Sequence, residues 1–131
     1  MHLSEEQRSL LWLSAAKITP SHVTALAQAY GGPEGVWDAF GSRGGPEFPE
    51  QVRSTLSTLH SCHAMDGLIA RLEQKNVRLL FRDDERYPGQ LAKLDDAPYL
   101  LYYAGSLDCL KRPMVALVGT RRCSAYGREM A

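Results

Sequence analysis

The sequence has no long apolar run, few cysteines and no excess of either charge. Its 131 residues include three cysteines, an odd number without the spacing of a disulfide framework, so a reduced protein in the cytoplasm is expected. The short apolar run near the N-terminus falls far below the ~18 residues that a membrane helix needs, which predicts no membrane segment. Fifteen basic residues balance fifteen acidic residues, and the composition as a whole therefore gives no signal for nucleic acid.

The sequence also lacks the two common glycine-rich nucleotide motifs. The dinucleotide fingerprint G-x-G-x-x-G does not occur, since the next glycine after Gly119 is Gly127. No G-K-[ST] of a Walker loop occurs either. Binding of NAD, FAD or ATP through these motifs is not indicated, and no cofactor is expected.

The charges that are present are unevenly distributed along the chain. Residues 1–105 carry 10 basic and 13 acidic side chains, a net charge of −3. Residues 106–131 carry 5 basic and 2 acidic side chains, a net charge of +3. Because a binding site uses local charge, an anionic ligand is expected at the C-terminal segment.

The first part of the chain has the apolar spacing and the breakers of a helical bundle. Ser4 and Gln7 form a capping-box pattern that predicts the start of a helix. Apolar residues then recur at helical spacing in five short segments separated by glycine and proline. We therefore predict a helical domain over residues 1–76. Its predicted core contains the aromatic residues Trp12, Trp37 and Phe40.

The pattern changes after the helical domain. Segments 77–81, 99–105 and 113–119 are apolar and read as strands. The last of them is continuously apolar, which is typical of a strand buried on both faces of a parallel sheet. Ser124 then has the position of a helix cap. These features predict an α/β fold in which residues 77–131 begin a second domain.

The junction VGTRRCSAYG, between the last predicted strand and the last predicted helix, has the chemistry of an anion site. Unpaired N–H groups and the dipole at a helix start favour an anion, and Gly119 allows a close approach to the backbone. Thr120 and Ser124 carry hydroxyl groups. Arg121 carries a guanidinium that matches phosphate oxygens. From these residues alone, a phosphate site and a solvated turn are equally open interpretations.

Two other clusters are expected to have no ligand. The H-x-C-H pattern at 60–63 lacks a second pair of metal ligands, so ordinary residues at a helix end are expected. The acidic run 83–85 is expected to be a solvated turn, because adjacent side chains in a loop rarely converge on a cation.

Three sequence blocks stand out in the C-terminal third, after the predicted helical domain. The blocks are Tyr87-Pro88-x-x-Leu91, Asp96-x-Pro98-x-Leu100-x-Tyr102-x-x-Gly105 and Val118-Gly119-Thr120-Arg121-x-x-Ser124-x-Tyr126-Gly127. In this order they resemble the DprA/Smf family of bacterial DNA-processing proteins. The resemblance covers the whole chain but is sharp only from residue 87 onward.

The resemblance implies a helical domain similar to sterile-alpha-motif or helix-hairpin-helix modules. An extended Rossmann-like parallel sheet follows, of which this chain holds the first strands. The ending of the chain inside a predicted helix favours a fragment of a longer protein.

The resemblance further implies a single-stranded-DNA-binding recombination mediator of natural transformation. Such a protein protects incoming DNA and assists RecA loading, without catalysis or a metal. The implied partners are single-stranded DNA, RecA and a second subunit in a homodimer. The implied phosphate-binding residues are Gly119, Thr120, Arg121, Ser124 and Gly127, with Arg122 beside them.

Two other classes of function remain open. A similar G-S/T-R loop after a Rossmann strand occurs in nucleotide phosphoribohydrolases related to the LOG family, where it binds a nucleotide phosphate. A protein-interaction module, formed by the helical domain alone, is the third interpretation. The tyrosine-proline and aspartate-proline blocks favour the DNA-binding function over both.

Overall fold

The structure is a computed structural model and describes residues 1–116 and 118–130. Five helices come first and a pair of strands follows, with shorter helical turns in the later part of the chain. No helix in the described ranges is long and apolar enough to cross a membrane. The elements are α1 (Glu5–Ala15), α2 (Pro20–Tyr30), α3 (Pro33–Ala39), α4 (Glu50–Leu59), α5 (Cys62–Gln74), β1 (Arg78–Phe81), α6 (Gly89–Ala92), β2 (Leu100–Tyr103), a 3₁₀ helix (Leu107–Lys111) and α7 (Ala125–Glu129).

The ends of the first helices follow local signals in the sequence. The Ser4 hydroxyl accepts a hydrogen bond from the Gln7 N–H at 3.1 Å, and the Gln7 side chain accepts one from the Ser4 N–H at 3.2 Å. The predicted capping box is therefore confirmed. Pro20 is the first residue of α2, where its missing N–H costs no hydrogen bond. Gly31 ends α2 with φ 78°, a left-handed conformation that glycine adopts without strain.

The core of the helical part is centred on Trp12, which is fully buried. Its Nε1–H donates to the Leu56 carbonyl oxygen at 2.9 Å, so the polar atom of the indole is satisfied inside the core. The rings of Trp37 and Phe40 meet Trp12 edge-on, with centroids at 4.9 and 5.1 Å. The predicted aromatic core is confirmed, although Trp37 and Phe40 are only half-buried.

The two strands pack against the helices. Leu79, Phe81 and Leu100 belong to the same hydrophobic cluster as the buried residues of the helices. The Tyr102 hydroxyl lies 3.0 Å from the Ser14 hydroxyl, which links β2 to α1. One continuous core therefore lies between the helices and one face of the strand pair.

The mixed helix and strand content confirms an α/β protein, but the sheet differs from the prediction. β1 and β2 run antiparallel, with Leu79 opposite Tyr102, whereas parallel strands were predicted. The 18 residues between the strands contain only the short α6, so the chain returns beside β1 without a long crossover helix.

The predicted third strand at 113–119 is not formed at residues 113–116 or 118–119, and Leu117 lies outside the described residues. Val115 and Val118 are 90% and 94% exposed. An apolar run becomes a buried strand only where neighbouring strands supply hydrogen bonds and cover, and the described ranges place none beside it. The division into domains at 1–76 and 77–131 stays a prediction.

Candidate nucleic-acid interface

The predicted anion loop lies on an exposed segment that ends in α7. The Ser124 hydroxyl accepts a hydrogen bond from the Gly127 N–H at 3.1 Å, which confirms Ser124 as the cap of this helix. The helix has five residues and ends at Glu129, before the predicted end. The loop therefore has the predicted local form of a turn that leads into a capped helix.

Most of the predicted site residues line one open concavity beside this cap, with a volume of about 620 Å³. Arg121 and Arg122 are exposed but do not contribute to its lining. The structure thus brings together the predicted glycines and hydroxyl groups and leaves the two predicted arginines outside. The predicted residues in the lining are Gly119, Thr120, Ser124 and Gly127, and the others are Val118, Cys123, Arg128 and Met130.

Arg128 is the basic residue that the structure places in the concavity, and the sequence analysis missed it. It follows the cap Ser124 by four residues, which is about one helical turn, so both residues lie on the same side of α7. That spacing is the signal that identifies Arg128 once Ser124 is known to be the cap. The guanidinium provides the positive charge that an anion in the concavity requires.

The two hydroxyl groups of the loop are not equivalent. The Thr120 hydroxyl donates to the Arg122 carbonyl oxygen at 3.0 Å, so its hydrogen is already used within the loop. The Ser124 oxygen accepts from Gly127, and its own hydrogen remains available for an acceptor. The Gly127 N–H is already donated to Ser124, and Ala125 and Tyr126 lie outside the lining. Ser124 and Arg128 are therefore the side-chain donors of the concavity that remain for an anion.

The two motif blocks upstream of the loop meet in space. Tyr87 is 7% exposed, and its hydroxyl donates to the Pro98 carbonyl oxygen at 2.5 Å. Burial raises the pKa of Tyr87, so the hydroxyl stays protonated and remains a donor at neutral pH. Ala97, beside Pro98, is fully buried. These blocks hold the connection between β1 and β2 in place.

Comparison with known proteins bears on the same part of the chain. The family model described as DNA recombination-mediator protein A matches residues 78–131. The DNA processing protein DprA of Streptococcus pneumoniae is 54% identical over 46 residues, which are 35% of this chain and 16% of that protein. The protein Smf of Escherichia coli is 36% identical over 66 residues, which are 50% of this chain and 18% of that protein.

Residues 78–131 of the chain match the DprA/Smf family. The resemblance inferred from the three motif blocks is thereby confirmed, and the family is one of DNA recombination mediators. The matches span less than a fifth of the length of either relative. No solved structure matches the chain significantly.

The acidic turn at residues 83–85, within the matched segment, contains an ion pair with the neighbouring Arg86. The Asp84 carboxylate accepts hydrogen bonds from the Arg86 guanidinium at 2.6 and 2.9 Å and from the Arg86 N–H at 2.9 Å. These bonds lower the pKa of Asp84 from 3.8 to about 2. The Asp84 carboxylate therefore has Arg86 as its partner within the turn.

The H-x-C-H pattern outside the DprA/Smf segment has a packing role at its first residue. His60 Nε2 lies 2.9 Å from the Trp37 carbonyl oxygen, and the His60 ring centroid lies 4.5 Å from that of Trp37. Cys62 and His63 are exposed. Within residues 1–116 and 118–130, no group of three histidine, cysteine or acidic side chains is arranged to hold a metal ion.

Proposed function

We propose that this chain binds single-stranded DNA as part of a DprA/Smf-type recombination mediator, with DNA phosphates held in the concavity beside Ser124. The observation that carries the proposal is that the family match includes the loop where Arg128, the capping Ser124 and Gly127 line one open concavity. This set of donors is suited to a phosphate, and contacts to phosphates carry no direct base information. The concavity is open, as a site for a continuous backbone needs to be.

The mechanism is electrostatic and requires no covalent step. A phosphate in the concavity accepts hydrogen bonds from Ser124 and the backbone and is neutralised by Arg128. Arg121 and Arg122, exposed on the same loop, bind the flanking phosphates of the strand. The protein then acts as a binding protein in the cytoplasm and not as an enzyme.

The finer features of the family belong to the same proposal. We assign residues 113–119 to a strand of a Rossmann-like parallel sheet, which forms where further strands are supplied. In support, Val115 and Val118 are exposed and apolar, and the described part of the chain places no strand beside them. We assign residues 1–76 to a helical domain and 77–131 to the start of the DNA-binding domain. Protection of incoming DNA in natural transformation, RecA loading and homodimer formation are assigned to the mediator as a whole.

The proposal is tested by fluorescence polarisation of a labelled oligo-dT across a salt series, with duplex DNA and AMP as competitors. We expect binding that weakens with salt, at about −0.7 in log–log slope for each phosphate neutralised. Duplex DNA is expected to compete poorly and AMP not at all. Displacement by AMP would instead indicate a nucleotide phosphoribohydrolase of the LOG type, and absence of binding by the folded chain would contradict a DNA site within it.

A further inference from the structure

A second concave site lies in the helical part of the chain, away from the loop described above. It is a cleft of about 310 Å³, which is within the size range of small-ligand sites. We call it the acidic cleft, because three of its side chains are carboxylates and one is basic. Its lining residues are Glu5, Arg8, Ser9, Glu34, Trp37, Asp38 and Cys62.

The carboxylates of the acidic cleft have no basic partner. No ion pair within residues 1–116 and 118–130 involves Glu5, Glu34 or Asp38. Glu5 and Glu34 lie in the first turns of α1 and α3, where the helix dipole favours a negative charge. Asp38 lies in the last turn of α3, where the dipole disfavours it. Helix stability thus explains two of the three carboxylates and leaves Asp38 unexplained.

The one basic side chain of the cleft is already paired. Arg8 Nη2 lies 2.7 Å from Asp66 Oδ1 and 3.4 Å from the Cys62 carbonyl oxygen. Asp66, which lies outside the lining, forms an ion pair with Arg8 and neutralises its charge. The three carboxylates are consequently left with an uncompensated negative charge.

Ser9 supplies an independent indication of a ligand. The residue is 4% exposed and lines the cleft, yet its hydroxyl makes no hydrogen bond to any residue that the structure describes. No buried side-chain oxygen of the described residues is cut off from both solvent and a partner, so the Ser9 oxygen remains accessible at the cleft that the residue lines. A buried hydroxyl without a partner costs stability unless a ligand or water satisfies it.

We propose that the acidic cleft binds the cationic side chain of a protein partner, and in particular the guanidinium of an arginine. Asp38 and Glu34 provide acceptors for the N–H groups, and Ser9 provides a neutral acceptor below them. Trp37 also lines the cleft, and an indole face attracts a planar cation. This site is separate from the DNA loop and does not depend on the function proposed for it.

The direct test uses acetyl-arginine amide as the probe and the neutral acetyl-citrulline amide, which has nearly the same shape, as the control ligand. Binding to the full chain is followed by the NMR shift of the Trp37 indole N–H. We expect a saturable shift with the arginine probe only, and a loss of that shift at high salt. An equal response to citrulline, or none to arginine, would overturn the proposal.

Variants separate binding from folding. Asp38→Asn is expected to weaken the arginine affinity about tenfold, the effect of one lost charge-assisted contact. Glu47→Gln, an exposed acid outside the cleft, is the matched control and is expected to leave the affinity unchanged. Ser9→Ala is expected to weaken binding without loss of stability, because alanine suits a helix and the hydroxyl has no partner. Unchanged affinity in both cleft variants would refute the site.

Further measurements of the same Trp37 signal identify which protein supplies the arginine. We assign the arginine to a separate basic protein, and residues 106–131 of a second copy, with a net charge of +3, are the alternative source that the test excludes. A peptide of residues 118–130 that shifts the same Trp37 signal, with concentration-dependent self-association that Asp38→Asn abolishes, identifies the second copy. Arginine binding by a chain that stays monomeric identifies a separate basic protein.

Discussion

The hydroxyl of Tyr87 and the carbonyl oxygen of Pro98 are joined by a hydrogen bond of 2.5 Å, eleven positions apart in the sequence. Each residue belongs to a different motif block of the DprA/Smf family. The bond holds the segment after β1 against the segment before β2, and both segments lie upstream of the loop proposed to bind DNA. These two blocks are therefore explained by the shape of the chain, and the third block contains the proposed phosphate site.

Tyr87→Phe is expected to lower the free energy of unfolding by about 0.5–1.5 kcal/mol, because the Pro98 carbonyl loses its donor. Urea unfolding followed by circular dichroism measures the difference. Tyr126→Phe is the matched control, since Tyr126 is 70% exposed, and it is expected to have no effect. Equal stability of the two variants would show that the bond contributes nothing.

Leu56→Ala is expected to lower the free energy of unfolding by about 2–5 kcal/mol, because Leu56 is fully buried and its loss leaves a cavity. The carbonyl that accepts from Trp12 is retained in this variant, so the effect reports packing. Leu94→Ala, at a site that is 51% exposed, is the control and is expected to cost much less. Similar urea midpoints for both variants would contradict the position of the core.

Stability is expected to fall in acid through the ion pair of Asp84 with Arg86. The pKa of Asp84 is lowered from 3.8 to about 2 by its hydrogen bonds from Arg86. A carboxyl with a lowered pKa stabilises the folded state above the unfolded pKa, and this contribution disappears as the pH falls from about 4 to about 2. The difference in unfolding free energy between the native chain and Asp84→Asn should shrink over that range. Asp83→Asn, at an exposed neighbour, should show no such trend.

Arg128→Ala is expected to weaken oligo-dT binding equally for all base sequences and to reduce the salt slope by about 0.7, since one phosphate contact is lost. Arg121→Ala, outside the concavity, is expected to have a smaller effect on affinity. Arg43→Ala, an exposed arginine of the helical part, is the control. Fluorescence polarisation across salt concentrations measures all three. A loss with Arg128→Ala that depends strongly on base sequence would rule out a phosphate contact there.

The features that could be predicted from the sequence are those fixed by neighbouring residues. Ser4 with Gln7 sets the start of α1, Pro20 sets the start of α2, and Ser124 caps α7. Each of these signals acts within one helical turn, so a single sequence contains all the information needed. The aromatic core around Trp12 was predictable for a similar reason, because apolar spacing marks one face of each helix.

The features that could not be predicted depend on pairing between distant segments. An apolar run carries no information on the direction of its partner strand, and the antiparallel pairing of β1 with β2 follows from how the intervening chain returns. The exposed state of residues 113–116 reflects the same limit, since their strand needs partners elsewhere. Arg128 could not be identified from the sequence alone, because the side of α7 on which it lies is known only when Ser124 is established as the cap.

The shared core of the helices and strands has a consequence for how the protein loses its structure. Leu79, Phe81 and Leu100 are covered by the helices, and the helices are covered in turn by these side chains. Neither part can open without exposing apolar surface on the other, so residues up to Tyr103 are expected to melt in a single cooperative transition. The described residues of the loop at 113–116 and 118–124 are exposed and outside this core, so a phosphate at the proposed site is expected to bind or leave without disturbing the cooperative unit.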